Sequence, residues 1–271
     1  MPPEAAERHS AAPTPAPTVT DEPLLVTHAL TKEFRGFTAV NSVDLRVAEG
    51  TIHALVGPNG AGKTTLFNLL TGFLKPTSGT ITYAGTDITG KPPDKIAHLG
   101  VARSFQITSL FDNMSVREHV ELALASPAGI GRQFWSSKRR LRQFAPRAME
   151  LLEQVGLAEK ARENAGALPY GRKRALELAI ALALEPRLLL LDEPTAGMGI
   201  EDIQRTIDLV KRIASGRTVV FVDHNMHVVG SLADTVAVLQ AGAIIAEGPY
   251  EQVRTDERVV TAYLGNADAS L

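Results

Sequence analysis

Two clusters of residues in this 271-residue chain have the types and spacing to do chemistry on a phosphorylated substrate. The first is Gly57-Pro58-Asn59-Gly60-Ala61-Gly62-Lys63-Thr64, which satisfies G-x-x-x-x-G-K-[ST] between an apolar run at 52–56 and a helical run at 65–70 that opens with Thr65. Glycines let backbone N–H groups turn inward around phosphate oxygens, and the N-terminus of the following helix adds partial positive charge. Lys63 then reaches the β- and γ-phosphates, and the Thr64 hydroxyl can ligate Mg²⁺. The second cluster is Asp192-Glu193, which ends the apolar run 188–191. A buried strand whose carboxyl end points at the phosphates presents Asp192 to Mg²⁺, while Glu193 polarises the attacking water. Alone, such a pair more often starts a solvated loop. The phosphate loop upstream reverses those odds.

The elements that must hold these residues are legible in the apolar patterning. Runs at 52–56, 188–191, 218–222 and 235–239 lack polar alternation, as expected of strands buried on both faces of a parallel sheet. Runs at 24–30 and 39–47 alternate better, which predicts an antiparallel β subdomain with one wet face. Between 115 and 183 the period becomes helical, with Leu141, Phe144, Ala148, Leu151 and Val155 recurring at three or four residues, so a helical subdomain over about 110–185 is expected as an insertion. Residues 1–23, rich in Pro, Ala, Thr and Glu, read as a disordered tail that resembles neither a secretory signal nor an anchor. The most apolar window, 175–184, already contains Glu177 and is too short to span a bilayer.

Composition narrows the chemistry. Hydrophobic residues at 44% and charged residues at 21% predict a sizeable core and exclude wholesale disorder. A formal charge of −2 provides no global basic field, which argues against a protein that coats nucleic acid. With no cysteine, disulfides, thiolate catalysis and Cys-ligated zinc are all excluded.

Taken in order, the landmarks resemble those of the ATP-binding subunits of ABC transporters over nearly all of 24–265, leaving 266–271 as a C-terminal tail. The resemblance implies an α/β fold: a P-loop NTPase ABC cassette with a mostly parallel core sheet, an antiparallel β subdomain and an inserted helical subdomain. It implies ATP and Mg²⁺ as cofactors. Gln106 would contact Mg²⁺ and water, and His224, which follows the run 218–222, would hydrogen-bond the γ-phosphate. Gly171, in Leu168-Pro169-Tyr170-Gly171-Arg172, would face the γ-phosphate of a second subunit across a dimer. Thr195-Ala196-Gly197-Met198 falls where a dimer-contacting loop belongs, and Phe34 where an aromatic ring stacks on adenine.

Within that family, Ala39-Val40-Asn41, Arg103-Ser104-Phe105-Gln106, Leu110-Phe111 and Ala262-Tyr263-Leu264-Gly265 are similar to the ATPases of branched-chain amino acid importers. The implied partners are a second ATPase subunit, two transmembrane permease subunits and, indirectly, a periplasmic or lipid-anchored binding protein, with no nucleic acid. The implied place is peripheral, on the cytoplasmic face of the cell membrane. An exporter ATPase, or a non-transport ABC protein acting on DNA or ribosomes, is the alternative. Two features depart from the family pattern: Pro169 and Arg172 replace the usual serine and glutamine, and Gly199 replaces a residue that is usually polar. The basic segment 132–147, with Phe134, Trp135 and Phe144 interleaved, reads as a solvated helix face rather than a nucleic-acid or lipid patch.

Overall fold

The computed structural model describes residues 23–104, 110–126 and 141–264. Strands β1 (Pro23–Phe34) and β2 (Phe37–Ala48) form an antiparallel hairpin. Its two-residue turn, Arg35-Gly36, has both φ angles positive, 47° and 89°, the geometry that matches the right-handed twist of paired strands. Along β2, Val43, Leu45 and Val47 are buried while Asp44 and Arg46 are exposed, so this sheet keeps one wet face. Strands β4 (Ser78–Tyr83) and β5 (Thr86–Asp87) complete it in the order β2-β1-β4-β5.

The second sheet contains β3 (Ile52–Val56), β6 (Val101–Ser104), β7 (Leu188–Asp192), β8 (Thr218–Val222), β9 (Thr235–Gln240) and β10 (Ala243–Gly248). Its order is β10-β9-β3-β8-β7-β6; all pairs are parallel except the β9-β10 edge hairpin. Every residue of β7 and β8 is buried, which is why those runs show no alternation. Because β3, β8 and β7 are adjacent and parallel, their carboxyl ends emerge along one edge of the sheet. The segments that follow them, starting at Gly57, Asp223 and Glu193, are therefore neighbours.

Helix α1 (Lys63–Leu70) follows the loop after β3, and α2 (Pro93–His98) precedes β6. A helical layer between β6 and β7 is made of α3 (Val116–Ala125), α4 (Ala145–Gln154) and α5 (Tyr170–Leu182). Ser115 caps α3 through a reciprocal pairing with Glu118, and Val116, Val120, Ala148, Leu151, Leu152 and Leu176 share one buried cluster with the parallel sheet. The expected helical face is partly redrawn here. Leu152 joins Leu151 in the interior, whereas Phe144 precedes the first turn of α4 and is only half-buried. Helix α6 (Ile200–Ala214) turns Ile207, Val210 and Ile213 inward and leaves its charged face in water. Helix α7 (Met226–Leu232) joins β8 to β9, and α8 (Tyr250–Val253) and α9 (Glu257–Leu264) follow β10. Among the described residues, no helix is long and apolar enough to cross a membrane.

One buried histidine makes the core sheet sensitive to acid. His53 of β3 is 1% exposed, and burial lowers its pKa from 6.5 to about 4; Glu247 Oε1 is 3.8 Å from its Nε2. The unfolded chain therefore binds more protons than the folded one between those two values, so stability falls as pH drops from about 6.5 to about 4. The slope from this residue is up to about 1.4 kcal/mol per pH unit. Burial also raises the Glu247 carboxyl, which protonates more readily when folded and so opposes the trend. In His53→Leu the acid-induced loss of stability between pH 6.5 and 4 is expected to flatten, as read from urea midpoints across that range; an unchanged slope would remove His53 as its cause.

Candidate phosphate-binding site

The loop between β3 and α1 is held in its shape by its neighbours. Gly57 has φ 150°, and a side chain there would run into the Leu239 carbonyl of β9; Gly62 has φ 103°, and a side chain there would meet the Ala39 carbonyl of β2. Both positions therefore require glycine for conformation and for space. Ala61 is buried; its N–H donates to Pro58 O at 3.2 Å, and its carbonyl accepts from Gly242 N at 3.0 Å. The tip, Asn59-Gly60, is exposed. Lys63 donates to Gly57 O at 2.7 Å and Pro58 O at 2.9 Å, folding its ammonium back over the loop. Burial pushes the Lys63 pKa down, while Glu193 and then Asp192 pull it back up, so both carboxylates lie close enough to be felt. Thr64 is exposed at the start of α1, and Thr65 is half-buried beside it.

Asp192 ends β7 with its side chain buried and accepts from Arg103 Nη2 at 2.6 Å. Glu193 is the first residue beyond the strand. Its φ is 47°, in the left-handed region, and its N–H donates to Val222 O at 2.8 Å, carrying the β7-β8 ladder one residue past the strand. A non-glycine residue in that region costs of the order of 1 kcal/mol and persists only where neighbours enforce it. From β8, Asp223 is fully buried; it accepts from Thr195 Oγ1 at 2.6 Å and from Asn225 N at 2.9 Å. His224 is exposed between these two anchors. Loop, carboxylates and histidine are thus brought to one edge by three adjacent strand ends.

Other expected residues fall elsewhere. Gly171 lies in the first turn of α5, where Pro169 occupies the capping position with no side-chain cap. A cleft of about 420 Å³ between α5 and α6 is lined by Pro169, Gly171, Arg172, Asp202, Arg205 and Arg212. Phe34 is 41% exposed at the hairpin end, with Lys32 Nζ 5.0 Å from its ring centre, so it is not a core residue. Thr195, expected in a contact loop, turns inward to Asp223, whereas Gly197, Gly199 and Ile200 are exposed. Gln106 lies outside the described residues, as do the tail to residue 22, residues 127–140, which include 132–140 of the basic segment, and 265–271. Within that basic region Arg147 is described, and it pairs with Glu150 and Glu185. Sequence reasoning missed Arg103 and Asp223 as partners. Arg103 lay within a quoted run but was read only for its resemblance.

Comparison with known proteins agrees with this geometry. The family model described as ABC transporter matches residues 40–196, and one described as branched-chain amino acid ATP-binding cassette transporter matches 243–269. The high-affinity branched-chain amino acid transport ATP-binding protein BraF of Pseudomonas aeruginosa is 40% identical over 255 residues, covering 90% of this chain and 99% of that protein. LivG of Salmonella typhimurium, with the same description, is 37% identical over 254 residues, covering 91% and 99%. The crystal structure of the ADP conformation of MJ1267, an ATP-binding cassette of an ABC transporter, superposes with a TM-score of 0.80 at 29% identity, covering 90% of this chain and 99% of that one.

Proposed function

We propose that this chain, which belongs to the ATP-binding subunits of ABC transporters, hydrolyses ATP to drive import of branched-chain or related amino acids through separate membrane subunits. The observation that carries the reading is the shared edge. The glycine loop, the Asp192-Glu193 pair and His224 leave adjacent parallel strands, and the C-terminal segment matches the branched-chain family as well. In this reading the loop N–H groups and Lys63 take the charge of the β- and γ-phosphates. Glu193 accepts a proton from the attacking water as the new O–P bond forms and the bond to the β-phosphate oxygen breaks, releasing ADP and phosphate. His224 hydrogen-bonds the γ-phosphate, and Phe34 stacks on the adenine.

Magnesium fits the residues present. Thr64 is exposed at the helix start, Asp192 is a carboxylate close enough to Lys63 to raise its pKa, and Gly57 and Gly62 are packed against the carbonyls of Leu239 and Ala39, which fixes the loop beside them. Thr64, Asp192 and Gln106 would hold the ion, whose chemistry is to neutralise charge on the phosphate oxygens. The site is completed by a second ATPase subunit, whose α5 N-terminus at Gly171 would face the γ-phosphate. The chain would then sit peripherally on the cytoplasmic face of the membrane, on two permease subunits served by a binding protein. Co-purification from membranes tests this: attached permeases of an amino-acid importer support it, and export or nucleic-acid partners alone would reject it.

Two substitutions test the hydrolytic roles. Glu193→Gln is expected to retain ATP affinity and to lower turnover by roughly 10²- to 10⁴-fold, because the amide cannot take the proton. Wild-type turnover would remove Glu193 from the mechanism. Lys63→Ala should weaken ATP binding by about 10- to 100-fold through loss of a charge-assisted contact, read by titration with nucleotide.

The unusual signature gives a third prediction. Proline has neither a hydroxyl nor an N–H for phosphate, so Pro169→Ser with Arg172→Gln should raise the basal ATPase rate. One added hydrogen bond in a closed site is worth about 1–3 kcal/mol, or roughly 5- to 150-fold. An unchanged or lower rate at saturating Mg·ATP would show that Gly171, the helix dipole and Arg172 already suffice.

A further inference from the structure

We infer that Arg103 is a positioning residue which sets the distance between α1 and the end of β7, and through it the magnesium dependence of nucleotide binding; the inference rests on the ATPase reading above. Arg103 lies on β6, opposite Leu190 of β7, with its side chain only 9% exposed. Its guanidinium holds two elements at once. Nη2 donates to Asp192 Oδ2 at 2.6 Å, and Nη1 donates to Asn68 Oδ1 of α1, also at 2.6 Å. Its Cζ lies over the Phe67 ring, 5.6 Å from the ring centre.

A guanidinium offers two donors in a fixed planar fork, so holding both partners fixes where each lies relative to the other. Helix α1 begins with Lys63 and Thr64, and β7 ends with Asp192. The residues that would share one cation, Thr64 and Asp192, are therefore carried by the two elements that Arg103 joins. A buried Arg–carboxylate pair is a poor source of stability compared with apolar residues of the same volume, which fits a role in placement.

The test compares Arg103→Lys, Arg103→Gln and Asn68→Ala with the wild type in ADP binding, first in EDTA and then with excess Mg²⁺, alongside thermal melting without nucleotide. Lysine keeps the charge for Asp192 but has no fork for Asn68. Arg103→Lys is expected to keep most of the melting temperature and the affinity for metal-free ADP, while the gain in affinity on adding Mg²⁺ falls about tenfold, the scale of losing a group that orients a metal ligand. Asn68→Ala, which leaves the Arg103–Asp192 pair intact, should lose part of the same gain. In Arg103→Gln the loss should be at least as large as in the lysine variant.

A wild-type Mg²⁺ gain in Arg103→Lys and in Asn68→Ala would overturn the inference. So would a loss of metal-free ADP binding equal to the loss with Mg²⁺, which marks a merely structural role. If Arg103→Gln does not fold, the other two variants decide. A wild-type protein that binds no ADP would instead count against the ATPase reading itself.

Discussion

Parallel pairing of β3, β8 and β7 is the constraint on which the site depends. Each pair is in register over most of its length, with Ala54 beside Phe221 and Phe221 beside Leu191, so the three strands cannot slide independently. Sliding one strand by a residue would turn its buried side chains to the opposite face, and both faces here are packed. Because the strands run the same way, whatever follows them emerges together. A phosphate loop, a pair of carboxylates and a histidine separated by up to 167 positions in sequence, Gly57 to His224, become neighbours without any long side chain reaching for another.

The same packing enforces the unfavourable backbone that the site needs. Glu193 sits at a positive φ, and its N–H is held by Val222 O, the last residue of β8. The strained residue is thus locked by the strand that also delivers Asp223 and His224. On the other side, Gly57 and Gly62 are pressed against the carbonyls of Leu239 and Ala39, from β9 and β2. Both sheets therefore contribute a wall to the loop, and the hairpin subdomain is part of the site rather than an ornament beside it. A loop walled on two sides leaves little to reorganise when a polyphosphate arrives.

Much of this was legible in the residues because each signal was local. A glycine spacing, an apolar run without alternation and an acidic pair at its end are each read over a few positions, and together they place Lys63, Asp192 and Glu193. Strands β4, β6 and β10 were less visible for a physical reason. In β4 only Ile81 and Tyr83 are buried among exposed or half-buried positions, β6 has four residues, and β10 is half-exposed along most of its length. Strands that are short or only partly buried are too weak to write a clear pattern. Arg103 was hidden more deeply. Nothing in its own neighbourhood says that it meets Asn68, 35 positions earlier, and Asp192, 89 positions later; only the sheet order makes β6 the neighbour of β7.

Charge arrangement gives the last step. Lys63 lies near two carboxylates, and one of them, Asp192, is bound by Arg103. The ammonium of Lys63 donates to the carbonyls of Gly57 and Pro58, which are themselves part of the loop. In the proposed reading, binding would exchange these two neutral acceptors for charged ones, a gain in interaction. The far side of the substrate is a different problem. In the proposed reading one chain's strand edge would meet a single face of the phosphates, while Gly171 and the uncapped start of α5 lie separately on the helical layer. At this helix start the Arg172 and Lys173 N–H groups both donate to Pro169 O at 3.0 Å, and the dipole of the turn favours an acceptor from outside the chain. A triphosphate held between two such subunits would supply that acceptor, which is a physical reason for nucleotide and pairing to depend on each other.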